Sequence, residues 1–247
     1  MLIKLRHSGL LLVLLTPTVH AQDRGPINTE RPSFSSSPIA LKSGVWQFEF
    51  GYQYSQDRDG PDFDDQTLPL LLIRTGIADR VELQINWAGY SWMEVDGRAV
   101  HGFNDAAIGL KWQLSEEDAI TSIGVYGGLT LPVGSSEIGN DDTEPVLGIF
   151  WSHSGKLGLF GTASITESGN DTVISNAIGL NIPSRGNTGG YVEYLGVAQE
   201  GGGPQHSLNV GVTFLRSSDF QFDANAGFGL NDRATDFYLG VGAARRF

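Results

Sequence analysis

The chain has 247 residues, with 16 Lys+Arg against 28 Asp+Glu for a net charge of −12, 33 Gly and no Cys. Without Cys there is no disulfide framework and no thiolate chemistry, and a chain this acidic is a poor partner for nucleic acid. Abundant Gly and the lack of helical periodicity point to an all-β protein of one domain, although the length alone would admit two.

The first element is a targeting segment. MLIKLRHSGLLLVLLTPTVHA carries Lys4 and Arg6, an apolar run from Gly9 to Leu15 and a Val19-His20-Ala21 end. This pattern predicts a secretory signal peptide over 1–21, cleaved near Ala21. The apolar run is far short of the roughly 20 residues a spanning helix needs, and no Cys follows the site to take a lipid anchor. Without Lys4 and Arg6 the balance of the exported chain is −14.

Residues 22–44 form a polar, Ser-rich lead containing Glu30-Arg31-Pro32. One reading makes them a plug or periplasmic gate, with Arg31 pairing an acid of the lumen. The other makes them a terminal tail.

Strands follow. VWQFEFGYQY (45–54) places Trp46, Phe48, Phe50, Tyr52 and Tyr54 on one face, against Gln47, Glu49, Gly51 and Gln53. That is the period of two of a half-apolar strand. The pattern recurs in runs near 45–55, 67–76, 80–90, 103–114, 120–132, 145–152, 156–166, 173–182, 188–198, 206–216, 220–230 and 236–247, twelve in all. Most have the length a tilted strand needs to cross a bilayer. Leucines fill both faces of QTLPLLLIRTG around Pro69, so the inward parity of that strand is open.

Connections at one end are short, such as IADR (77–80) and SSD (217–219); several at the other are long, such as QDRDGPDFDDQ (56–66) and SWMEVDGRAVH (91–101). This is the wiring of an up-and-down outer-membrane barrel. A soluble sandwich also alternates, but its polar face meets bulk water and favours Lys, Glu and Thr. Here that face is mostly Gly, Asn, Gln, Thr and isolated acids, while aromatics (Trp46, Tyr54, Trp87, Trp112, Trp151) gather near strand ends as in an interfacial girdle. The fold class is therefore an all-β, transmembrane antiparallel up-and-down β-barrel of about 12 strands over 45–247, in the outer membrane of a Gram-negative cell.

Two features carry a family resemblance. The chain ends in Phe247 on an alternating strand, which is similar to the C-terminal signature that the barrel-assembly machinery reads. Ile27-Asn28-Thr29-Glu30-Arg31-Pro32-Ser33-Phe34, LPLLLIRTGIADRVELQI (68–85) and the strand from Asp105 through Gly109 to Lys111 resemble the outer-membrane family named for transport in the meta-pathway of phenol degradation. Glu30 stands where that family would have Asp. The resemblance implies a transport-type barrel without naming a solute.

On the expected parity the lumen carries Glu49, Glu82, Asp105, Glu193, Asp223 and Asp236, with Lys111 and Arg246 and, if its strand points it inward, Arg74. If the lumen is open, an acidic excess predicts a cation preference. If these charges pair across a narrow barrel, they form an internal network instead. Asp57, Asp59, Asp62, Asp64 and Asp65 crowd one long loop, and Asn140, Asp141, Asp142 and Glu144 another. Their spacing is not that of a calcium loop, so they read as solvated faces, bridged to lipopolysaccharide by divalent ions, with no metal site.

An acyl-ester enzyme would need Ser beside His. His101 and His153 suggest nothing, and His206-Ser207 are adjacent strand residues that point to opposite faces. No G-x-S-x-G elbow and no phosphate-binding loop exists, so no enzyme and no cofactor is expected. The function expected is passive passage of small solutes, apolar or aromatic among them, through a narrow acidic lumen, with outer-membrane lipid and lipopolysaccharide as surroundings. The alternatives are a closed structural or adhesive barrel whose loops bind a partner and, third, a lipid-modifying enzyme.

Overall fold

The computed structural model describes residues 25–59, 62–169 and 171–247; the expected signal peptide lies outside them. Among the described residues are fourteen strand segments: β1 (Trp46–Asp57), β2 (Phe63–Ala78), β3 (Val81–Trp87), β4 (Tyr90–Val95), β5 (Arg98–Phe103), β6 (Ala106–Gln113), β7 (Thr121–Leu131), β8 (Glu144–Ser154), β9 (Gly158–Ser168), β10 (Asp171–Arg185), β11 (Thr188–Gln199), β12 (Gln205–Ser217), β13 (Phe220–Gly229) and β14 (Phe237–Arg246). Every pairing between them is antiparallel, and β1 bonds to both β2 and β14, so the sheet closes.

Twelve staves make the ring. β3 and β4 together form one stave and β5 and β6 the next, because β2 pairs β3 along one half and β4 along the other. SWMEVDGRAVH (91–101), expected as a loop, is thus mostly the β4–β5 hairpin. Its turn is Asp96-Gly97 with φ of 49° and 75°, the two positive angles of a type I′ turn. The Asp-Gly pair was the signal for it.

The open parity of β2 is settled by a bulge. Gly51 faces Leu70, but Gln53 faces Thr67, so β2 spends one residue more than β1 around Pro69. Arg74, Leu72 and Leu70 share the inner face below it, and Thr67 and Asp65 above it. Leu70 and Leu72 thus face inward and Leu68 and Leu71 outward, so the leucines do fill both faces of the strand. The neighbouring staves break at the same level, at Ala88-Gly89 and at Asn104-Asp105. There the Asn104 amide N–H donates to the Gly89 carbonyl (2.8 Å) and the Trp87 indole to the Asn104 carbonyl (3.0 Å).

The barrel is inside out relative to a soluble protein. Its largest fully buried side chains are Arg74, Lys111, Gln47, Glu49, Glu82, Glu193 and Asn209, whereas Trp46, Phe50, Trp112, Leu147, Ile174 and Val212 stand exposed on the outer wall. Burying charge is costly without partners, and apolar walls this extensive demand an apolar solvent. A lipid belt answers the second requirement, and the closed ladder satisfies the backbone within it. Residues 25–44, which have no regular strand, lie against the inner wall and answer the first.

Candidate functional site

An irregular segment inside a barrel has backbone N–H groups that no ladder satisfies. The inner wall supplies acceptors for them. Glu49 on β1 accepts from the Glu30 N–H (3.1 Å) and the Arg31 N–H (3.0 Å). Glu193 on β11 accepts from Phe34 (2.9 Å) and Ser35 (2.8 Å). Glu82 on β3 accepts from Leu41 (2.7 Å), and Gln113 on β6 from Ala40 (3.0 Å). Three of the wall carboxylates expected to face a pore, Glu49, Glu82 and Glu193, are thus occupied by the segment's main chain.

Glu49 and Glu82 also meet buried cations. Arg74 donates to Glu82 through Nε (2.7 Å) and Nη2 (3.0 Å), and to Glu49 through Nη1 (3.1 Å). Its Nη2 lies 3.0 Å from Glu30 of the segment. Lys111, opposite Glu82 on the ladder, bonds Glu30 as well. Three acids and two bases therefore form one knot, in which Glu30 is the segment's contribution. Such a knot holds because every charge is hydrogen-bonded, and removing one partner strands the rest.

Higher in the bore, Arg31 enters a slot on the wall. Its guanidinium lies against Gly51 and Gly242, where a Cβ at either would overlap it. Nη2 donates to Asp223 on β13 (3.2 Å) and to the Val241 carbonyl (3.2 Å). Tyr191 on β11 donates its hydroxyl to the Pro32 carbonyl (2.8 Å). Glu30-Arg31-Pro32, singled out in the sequence, is the part of the segment that the wall grips from three sides.

The segment divides the lumen. An outer cavity of about 360 Å³ and an inner one of about 340 Å³ both have Arg31, Pro32 and Ser33 in their walls. The outer one is completed by loop-end residues such as Gln53, Ser55, Ser207 and Tyr238, and the inner one by residues nearer the short turns, such as Ser154, Asn181 and Gln221.

The remaining expected lumen residues lie apart from this cluster. Asp105 sits at the break between β5 and β6 and holds a loop, accepting from the Gly134 and Asn140 N–H groups at 2.7 Å each. Asp236 lies at the loop end, accepting from the Arg58 N–H (2.8 Å). Its nearness raises the carboxyl of Asp59 above the ordinary range, helped by slight desolvation and by Asp232. Arg246 sits at the short-turn rim, donating to Asp219 (2.8 Å) and to the Gly25 carbonyl (2.7 Å). Phe247 returns a backbone bond to the Trp46 carbonyl (2.8 Å) and packs edge-on against Phe48. His206 bonds the Tyr194 hydroxyl (2.6 Å) while Ser207 lines the outer cavity on the opposite face, so the two form no dyad.

Residues 29–247 match the model of a family described by the MetA-pathway of phenol degradation. The chain belongs to this family. Among solved structures it is similar to an outer membrane channel from Pseudomonas putida F1, with 15% identity, a TM-score of 0.66 and coverage of 85% of this chain and 98% of that one. It is also similar to the KdgM porin, with 13% identity, a TM-score of 0.51 and coverage of 81% and 99%. No curated protein sequence matches it. At such identities the likeness is one of fold, and the fold is the outer-membrane β-barrel.

Within this family member the wall residues that pattern reading passed over are Gly51, Gly242, Tyr191, Asn209 and Gln113. Gly51 and Gly242 occupy inward positions where other inward residues are polar, which was their one signal. Tyr191 sits between Gly189 and Glu193 on the inward face of β11, and its ring stands edge-on to Phe160.

Proposed function

We propose that the protein is an outer-membrane channel whose bore is closed at rest by its own residues 25–44, and which passes small solutes, apolar or aromatic among them, when that segment shifts. The observation that carries this reading is that Arg31, Pro32 and Ser33 wall both cavities, so the partition between them is a segment held non-covalently rather than barrel wall. The family's name and the channel and porin nature of the similar structures support it. On this reading the inner acids serve to hold the closure, and the cation preference that would follow from an open acidic lumen is not expected at rest. The same reading gives Phe247 to recognition by the barrel-assembly machinery, and the outer wall to membrane lipid and lipopolysaccharide.

The test is single-channel recording of the exported chain refolded into planar bilayers, beside its Glu193→Gln variant. The wild type should conduct in rare, brief openings, and the variant, with weaker acceptors for Phe34 and Ser35, should open more often. Well-folded barrels of both kinds that never conduct would overturn the channel reading.

A further inference from the structure

The outer cavity has an unusual lining for a chain this acidic. Its wall residues include amides and hydroxyls, and the single charged one is Arg31. The acids nearest to it, Glu193 and Asp223, are buried and turned to the segment's backbone and to Arg31 itself. Arg31 is only partly used. Nη2 makes both of its side-chain bonds, Nε is buried without a partner, and Nη1 makes no hydrogen bond among the described residues. Beside it is Phe34, a large apolar ring that belongs to the interior segment and is nonetheless 42% exposed. Tyr238 adds a second ring to the same wall.

We propose that this cavity is a binding site for a small organic carboxylate carried on a planar apolar body, with Arg31 taking the carboxylate and Phe34 and Tyr238 flanking the body. The proposal rests on the channel reading for its route but not for its chemistry. The unused Nη1 of a fixed guanidinium charge can give a carboxylate oxygen a charge-assisted hydrogen bond. Held in a confined bore, the attraction is stronger than in open water. The cavity volume lies in the range of about 300–1,000 Å³ typical of small-molecule sites. Ser207 and Gln205 offer hydroxyl and amide groups for ring substituents. The loop carboxylates Asp59, Asp232 and Asp236 stand at the mouth. Asp59 and Asp232 are in contact with water, where salt screens charge over about 8 Å, so these acids slow an anion's approach more than they weaken its binding.

The experiment is calorimetric titration of the refolded, exported chain in detergent with benzoate, benzyl alcohol and benzylamine. Benzoate should bind saturably, benzyl alcohol at least about tenfold more weakly, and benzylamine without saturation. Arg31→Gln should weaken benzoate about ten- to hundredfold, as loss of a charge-assisted bond does. Ser207→Leu should abolish it by filling the cavity without touching any bond of Arg31, and heat-modifiable gel mobility would show that both variants are folded. Equal binding of the three probes, or benzoate binding untouched by both variants, would overturn the site. Arabinose-driven swelling of proteoliposomes, read on the same preparations, separates the two readings. Swelling without benzoate preference sinks the site and leaves the channel, and benzoate binding without any swelling does the reverse.

Discussion

Gly51 of β1 and Gly242 of β14 face each other across the seam where the first and last strands meet, and the Arg31 guanidinium lies in the space their missing side chains leave. The register makes this possible. An inward residue on each of two adjacent strands is reduced to backbone at one level, so a planar group can lie flat on the wall. It also ties the seating of Arg31 to the closure of the sheet, because the wall under Arg31 exists only once β14 has paired with β1.

Gly51→Ala tests this relationship. Its new Cβ would meet the Arg31 side chain before any wall backbone, so the segment should yield rather than the barrel. Forcing a methyl into a packed site costs about 1–3 kcal/mol, enough to raise the open fraction at least about fivefold. Bilayer recordings should show longer openings, while heat-modifiable mobility stays as in the wild type. An unchanged open fraction would mean that Arg31 does not hold the segment in place.

The Arg74 knot should behave as a unit. Arg74→Gln leaves Glu30, Glu49 and Glu82 with Lys111 as their remaining cation in the knot, and breaking a buried pair from one side costs about 3–5 kcal/mol. The melting temperature of the refolded barrel should fall. Adding Glu82→Gln should recover part of the loss, because one surplus charge goes with it. A double variant that is additively worse would show that the knot is not coupled.

At the short-turn rim, burial is the largest single effect on Asp219 and raises its carboxyl, but the bond and charge of Arg246, with Ser218 and Arg245, together outweigh it and hold the carboxyl below the ordinary range. A lowered acid stabilises the fold above the unfolded-state pKa, about 3.9 for Asp, and the benefit disappears as pH falls through the folded value. Asp219→Asn should therefore lower the melting temperature slightly at neutral pH, and the gap from wild type should close as the pH falls through the lowered folded value. Thermal scans of the two proteins across that range check it. A gap that persists in acid would assign the effect to packing.

The fold was legible because a membrane barrel writes its rule into every strand. Period two, an aromatic-ended apolar face and short turns at one end identify it without any single decisive motif. What stayed hidden depends on insertions of one residue. Pro69 on β2 with Ala88-Gly89 and Asn104-Asp105 reverse the sequence parity while keeping faces intact, and a local pattern cannot show that three neighbouring breaks align. At the site, charged inward residues such as Glu49, Glu82 and Lys111 were legible as inward. Their partner was not, because an irregular segment advertises its N–H groups nowhere in its sequence. The sequence reading left a paired network beside the open acidic pore, and the network is the arrangement found.

Asp105 gives the sharpest contrast between the two readings. As a lumen charge it should tune ion selectivity. In the structure both its oxygens accept backbone bonds from the loop after β7, at Gly134 and Asn140. Asn can replace one acceptor but not both, and each hydrogen bond to a charged group is worth about 1.5–3 kcal/mol. Asp105→Asn should thus loosen residues 132–143, seen as faster protease nicking in that loop on intact proteoliposomes. Reversal potentials in a salt gradient, measured on Gly51→Ala channels so that openings are frequent, should not move when Asp105→Asn is added. A shift toward anions would return Asp105 to the conduction path and undo its assignment to the loop.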